Sequence, residues 1–270
     1  MQVLVDNVAA LARKAGDAIM GIYKSDFSLY EKADASPLTE ADITAHNIIV
    51  SGLAEISEYP VLSEESDAEV SAWSERSKWN TYWLVDPLDG TKEFIKKNDE
   101  FTVNIALIEN GRPVLGVVYC PPLGRMYYGV LGSGAYRQDS GKDPVPIKVA
   151  SMPAKGETWK LVGSRSHGAE ALAKFSANLG DVELVSMGSS LKLCLVAEGI
   201  AHLYPRLAPT CEWDTGAAQA IVEAAGGKVL SPNLTPLRYG KKEKLLNPYF
   251  IVCGDINEMW SLAFGEVASD

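Results

Sequence analysis

Apolar residues recur at Leu4, Val8, Leu11, Ala15, Ile19 and Ile22. Spacings of three and four predict an amphipathic helix over residues 2–24. A polar stretch broken by Pro37 follows. Thr39, with Asp42 three residues on, then has the form of a capping box opening a second helix that carries Ile43, Ile49, Leu53 and Ile56. Residues 60–62 are a short strand-like run that stops at Ser63-Glu64-Glu65-Ser66, and residues 66–81 read as a polar connecting loop. Residues 82–85 form an apolar run suited to a buried strand, and Pro87 and Gly90 enforce a turn directly after it. Phe101, Val103, Ile105 and Leu107 alternate with Thr102, Asn104 and Ala106, which predicts a strand with two unlike faces. Asn110-Gly111 signals a tight hairpin. Further antiparallel strands are expected at 113–119, 125–131 and 134–137, with Gly132-Ser133-Gly134 a turn and not a phosphate loop.

Residues 139–157 have the composition of an interdomain connection, and the pattern changes beyond them. Strands are expected at 159–163, 182–186, 201–204 and 249–253, in alternation with helices at 169–179, 190–198 and 214–225. Such alternation predicts helices packed on a sheet. The expected division is residues 1–150 as an α+β domain and residues 151–270 as an α/β domain.

The chain has 270 residues and 47% hydrophobic content, ample for a packed core. Its 25 basic and 35 acidic residues give a net charge of −10, which argues against binding a nucleic-acid polymer or an anionic membrane through a general basic surface. Cys120, Cys194, Cys211 and Cys253 are far apart and show no zinc spacing, so they read as reduced core thiols. The N-terminus lacks the signature of a secretory signal, and no apolar run approaches about 18 residues. A cytoplasmic protein without a membrane anchor is the expectation. Nothing fixes the oligomeric state, and a homodimer stays open.

The densest chemistry lies at Leu84-Val85-Asp86-Pro87-Leu88-Asp89-Gly90-Thr91-Lys92-Glu93-Phe94. Asp86, Asp89 and the backbone carbonyl of Leu88 offer three hard oxygen donors within four residues, a magnesium-type ligand set. Gly90 lets the backbone approach a ligand, and Thr91 could cap a helix facing an anion. Asp-Pro-x-Asp-Gly is also an ordinary turn sequence. Glu64 could belong to a solvated loop, Asp42 could serve only its cap, and Asp214 is either the N-cap of its helix or a ligand displayed from the helix start. Four acids at the ends of buried elements, Glu64, Asp86, Asp89 and Asp214, nevertheless make a cage for divalent cations plausible.

The set Glu64-Glu65, Trp83-x-x-Asp86-Pro87-Leu88-Asp89-Gly90-Thr91, Trp213-Asp214-x-x-Ala217 and Glu223-Ala224-Ala225-Gly226-Gly227 resembles the signatures of the inositol monophosphatase superfamily over nearly the whole chain. Within that superfamily, Asp89-Gly90-Thr91-Lys92-Glu93-Phe94 and Ser189-Ser190-Leu191-Lys192 look like the 3'(2'),5'-bisphosphate nucleotidase branch. The resemblance implies a layered α-β-α-β-α sandwich of mixed α+β class with the site in a cleft. It implies two or three Mg2+ ions held by Glu64, Asp86, the Leu88 carbonyl, Asp89 and Asp214, and inhibition by Li+. Gly90 and Thr91 would hold the phosphate, while Thr91, Glu64 and Asp42 match the positions that activate the attacking water. Ser164, His167, Ser190, Lys192 and Arg206 match the region that contacts the nucleotide. The implied reaction is removal of the 3'-phosphate of adenosine 3',5'-bisphosphate by water, with no covalent nucleophile. Some relatives are placed at the inner face of the cytoplasmic membrane. The alternatives are an inositol or other polyol monophosphatase with the same cage, and a non-catalytic protein that binds phosphate or metal and regulates a partner.

Overall fold

The structure, a computed structural model, describes residues 2–25, 29–31, 37–163, 169–177 and 179–264. The first half contains α1 (Gln2–Tyr23), β1 (Leu29–Glu31), β2 (Pro37–Thr39), α2 (Glu40–Ile56), β3 (Val61–Ser63), α3 (Trp73–Arg76), β4 (Thr81–Asp89), α4 (Thr91–Ile95) and β5 (Thr102–Glu109). It continues through β6 (Arg112–Cys120), β7 (Arg125–Val130), β8 (Gly134–Asp139) and β9 (Val145–Ile147). The second half contains β10 (Trp159–Gly163), α5 (Ala169–Ser176), β11 (Val182–Ser186), α6 (Leu191–Ala197), β12 (Leu203–Arg206), α7 (Glu212–Ala224), β13 (Lys228–Leu230), β14 (Phe250–Cys253) and α8 (Met259–Phe264).

Strands β3 to β9 lie in sequence order in one seven-stranded sheet, antiparallel apart from the parallel β3–β4 pair at its edge. A five-stranded mixed sheet has the order β11-β10-β12-β14-β13, and β1 pairs with β2. Helices α1 and α2 cover one face of the larger sheet, where Val8, Ala15, Ile19, Ile49 and Leu53 meet Val85, Val103, Ile105 and Val117. Helices α6 and α7 lie between the sheets, packed on Leu84, Ala106, Val118, Val162 and Val252. Phe175 of α5 and Trp260 and Phe264 of α8 close the outer face of the smaller sheet against Leu161, Leu203 and Ile251. The layers are α-β-α-β-α, as the resemblance implied.

The alternation in β5 maps onto this layering. Val103, Ile105 and Leu107 belong to the core under α1 and α2, and Ala106 and Ile108 belong to the core under α7. The seat of α7 is shallow because Gly116 carries no side chain: a Cβ there would lie 2.0 Å from the Ala217 carbonyl oxygen. Backbone therefore rests on backbone, and the helix start that bears Asp214 is set at a fixed height above the sheet.

Four expectations change. Strand β4 does not stop before Pro87 but runs on to Asp89 through an irregularity. Ile43 is 40% exposed, because the buried face of α2 follows Ala41, Ala45, Ile49 and Leu53 at intervals of four, which puts Ile43 on the opposite side. The 66–81 segment includes α3, whose buried Arg76 donates to the carbonyls of Ser71, Lys242 and Glu243. The connection after β8 begins later than composition suggested, since β9 still pairs with β8. Among the described residues no helix is long and apolar enough to cross a membrane.

Candidate metal centre and substrate cleft

Strand β4 delivers two carboxylates by way of a β-bulge. In its ladder with β5, Asp86 stands opposite Asn104 and Asp89 opposite Thr102, so three steps on β4 match two on β5. Residues three apart on a regular strand point to opposite faces, whereas Asn104 and Thr102, two apart, share one. The extra residue in β4 thus turns Asp86 and Asp89 toward the same side. The Leu88 N–H donates to Asp86 Oδ1 at 3.0 Å, fixing the turn internally.

Asp214 arrives from the first turn of α7. Its carboxylate oxygens and those of Asp86 and Asp89 supply one ligand atom each within 4.8 Å of one another. Cys211 is the N-cap of α7 and Asp214 the N3 partner of a capping box, so Asp214 is not itself the N-cap. Its Oδ2 accepts from the Cys211 N–H at 2.8 Å and the Thr210 hydroxyl at 3.0 Å. Asp42 repeats the device at the start of α2, where Oδ2 accepts from the Thr39 N–H at 2.7 Å and the Thr39 hydroxyl at 2.6 Å. Its other oxygen, Oδ1, lies 3.3 Å from the Thr91 hydroxyl, which is also 3.4 Å from the Leu88 carbonyl. One carboxylate therefore caps a helix and orients Thr91 at once.

Glu64 follows directly on β3, with its N–H donating to the Val85 carbonyl beside Asp86. Burial, then the charges of Glu64, Asp89, Asp214 and Asp42, raise the Asp86 carboxyl well above the ordinary range. Burial and the neighbouring Asp214 push Asp89 up to about 7, although Lys192 and the Ser190 N–H oppose the shift. Crowded acids of this kind repel one another, and a bound cation removes that cost. The donors are all oxygen, from carboxylates and a carbonyl, which fits a hard divalent ion and not zinc held by nitrogen or sulfur. The residues present fit the metal that the resemblance implied.

Gly90 takes the N-cap position of α4 in a left-handed conformation, φ 94°, so Gly90 and not Thr91 is the cap. Beside it opens a cleft of about 360 Å³ between Asp89, Gly90 and α4 on one side and Lys192, Tyr204, Arg206 and Asp214 on the other. Lys192 is almost wholly buried, with its Nζ 5.9 Å from the centre of the Tyr204 ring. Burial lowers its ammonium to about 8, against the favourable charge of Asp89. Arg206 is held by its own loop, donating from Nε to Ala208 O at 3.1 Å and from Nη2 to Pro209 O at 2.8 Å. Ser190 lines the cleft, but its buried hydroxyl meets Thr102 and Asn104. Ser164 and His167 lie outside the described residues.

Lys92 and Glu93 of α4, Lys96 at its C-cap, and Tyr204 and Phe250 also line the cleft, and none of them was expected as a site residue. Lys92 and the C-cap residue Lys96 stand four apart at the helix that opens at the metal motif, a spacing that places both on one face. That signal was present in the sequence. Tyr204 and Phe250 come from β12 and β14, and only the pairing of those strands brings them together.

The profile of the inositol monophosphatase family matches residues 1–259. The 3'(2'),5'-bisphosphate nucleotidase CysQ of Salmonella typhimurium is 49% identical over 253 residues, covering 92% of this chain and 99% of that protein. The CysQ nucleotidase of Escherichia coli is 47% identical over the same shares. The crystal structure of CysQ from Bacteroides thetaiotaomicron superposes with a TM-score of 0.81 at 45% identity, over 93% of this chain and 97% of that one. The chain belongs to the inositol monophosphatase family, in its CysQ branch.

Proposed function

We propose that this protein is a magnesium-dependent phosphatase that hydrolyses adenosine 3',5'-bisphosphate to AMP and inorganic phosphate. The observation that carries the reading is the convergence of Asp86, Asp89 and Asp214 within 4.8 Å at the edge of a cleft whose other wall bears Lys192 and Arg206. The names of its relatives support the substrate class.

Glu64, Asp86, the Leu88 carbonyl, Asp89 and Asp214 would hold the two or three Mg2+ ions, which when bound would supply Lewis acidity and charge neutralisation. Gly90 and Thr91 hold the phosphate to be cleaved. Thr91, its hydroxyl directed at Asp42 Oδ1, orients the attacking water and passes its proton toward the carboxylate, with Glu64 alongside. A new P–O bond to water forms as the bond to the 3'-oxygen breaks; the proton given up by the attacking water passes from the carboxylate to solvent, and the 3'-oxygen takes a proton from solvent and leaves as the ribose hydroxyl. No serine or cysteine side chain takes part. The second phosphate lies toward Lys192 and Arg206, of which Arg206 offers a planar guanidinium preset by its contacts with Ala208 and Pro209. Li+ would inhibit by competing for one of these cation positions.

A phosphate-release panel tests this. Purified protein with Mg2+ is expected to act faster on adenosine 3',5'-bisphosphate than on inositol 1-phosphate, to stop in EDTA and to slow in LiCl. Faster release from inositol 1-phosphate would replace the substrate reading with a polyol monophosphatase. Undiminished release in EDTA would overturn the metal reading.

A further inference from the structure

Asp89 differs from the other three aspartates of the site in where its main-chain donor comes from. Asp42, Asp86 and Asp214 accept N–H groups two or three residues away in their own segments. Asp89 Oδ2 accepts, at 2.5 Å, the N–H of Ser190, which is 101 positions away at the entrance to α6. An N–H cannot aim itself, and the residue before it, Ser189, is held with φ 45°, a left-handed conformation costly for a residue with a side chain. Gly188, one step earlier, is pressed so close to Glu100 that a Cβ would lie 2.9 Å from that residue's carbonyl oxygen. Something must keep this turn in place.

The anchor is a buried cluster beneath it. The Ser190 hydroxyl lies 2.8 Å from Asn104 Oδ1 and 2.8 Å from the Thr102 hydroxyl, which is itself 3.1 Å from Asn104 Oδ1. All three residues are 2% exposed or less. Thr102 and Asn104 are the β5 partners of Asp89 and Asp86 across the bulge. The same two residues therefore stand opposite the two aspartates of the bulge on one side and grip the α6 turn on the other.

We propose that Thr102, Asn104 and the Ser190 side chain are positioning residues for metal binding: they hold the Ser190 N–H on Asp89 and so fix the orientation of that carboxylate toward the cation. The proposal rests on the metal reading above. Its physical basis is that a ligand whose outer hydrogen bond is lost must be ordered at the expense of binding, an effect of roughly 10- to 100-fold in affinity at metal sites.

The test uses the full chain and magnesium alone, by titration calorimetry, with thermal melting in EDTA as a separate readout of folding. Ser190→Ala and Thr102→Val, the latter nearly isosteric, are expected to weaken Mg2+ binding about tenfold. Thr102→Ser, which keeps the hydroxyl and loses a methyl, is expected to stay within about twofold of the unaltered protein. If Thr102→Val does not fold, Ser190→Ala carries the test. A folded Ser190→Ala protein with unaltered Mg2+ affinity overturns the proposal, as does a Thr102→Ser variant as impaired as Thr102→Val, because the effect would then be one of packing. An unaltered protein that binds no magnesium overturns the underlying metal reading instead.

Discussion

Asp42, Asp86, Asp89 and Asp214 are each fastened through one carboxylate oxygen to a main-chain N–H. Such fastening orders the site before any ligand arrives, because the side-chain entropy is lost on folding and not on binding. In the sequence, Asp214 looked like either a helix cap or a ligand, and Asp42 like either a cap partner or a residue that helps activate the attacking water. A carboxylate has two oxygens, and in both residues Oδ2 serves the cap, so the alternatives were never exclusive. The burial of Lys192 had no sequence signal, since a lysine in Ser190-Leu191-Lys192-Leu193 reads equally well as solvated. Replacing Asp89 with Asn keeps an oxygen for the Ser190 N–H but removes a charge that burial and Asp214 already disfavour. We expect Asp89→Asn to lower kcat/KM by ~10²–10³-fold, through loss of several kcal/mol of metal-derived stabilisation, while melting in EDTA at or above the temperature of the unaltered protein. Near-native turnover at limiting magnesium would remove Asp89 from the ligand set.

Single elements were legible where their pattern is local. The three-and-four rhythm of α1, the alternation of β5 and the capping box of α2 all depend on neighbours within a few residues, and each stands in the structure near its expected bounds. The bulge in β4 was not legible, because it is a relation between two strands. Pro87 and Gly90 read as an ordinary turn until β5 supplies the count of residues opposite. The height of α7 on the sheet is likewise set by a glycine whose purpose appears only once its neighbour is known. A methyl group at Gly116 would run into the Ala217 carbonyl, backbone that cannot step aside. Gly116→Ala is therefore expected to cost roughly 1–3 kcal/mol by overpacking and, by lifting the start of α7, to weaken Mg2+ binding through Asp214. Chemical denaturation and magnesium titration measure the two effects, and unchanged values in both would mean that α7 can shift without cost.

For the molecule as a whole, the cation is expected to act as a clasp. The candidate ligands run from Glu64 to Asp214 and are carried by the ends of β3 and β4 and the start of α7. Ions that bind only when these elements are assembled stabilise the folded state, by about 2.7 kcal/mol at a hundredfold excess over Kd. Mg2+ should accordingly raise the melting temperature by several degrees over the EDTA-treated protein, with the gain abolished in Asp89→Asn. A melting temperature indifferent to magnesium would contradict the clasp. The sequence by itself determined the helices and strands with strong periodicity and, through its signature motifs, the family and the acidic residues at its centre, because those rest on local spacing and residue chemistry. Tertiary structure alone decided that Asp86 and Asp89 share a face, that the Ser190 N–H reaches Asp89 while its hydroxyl turns to Thr102 and Asn104, and that Tyr204 and Phe250 meet at one cleft. Each of these is a distance between segments remote along the chain, set by strand register and by how closely one layer can approach the next.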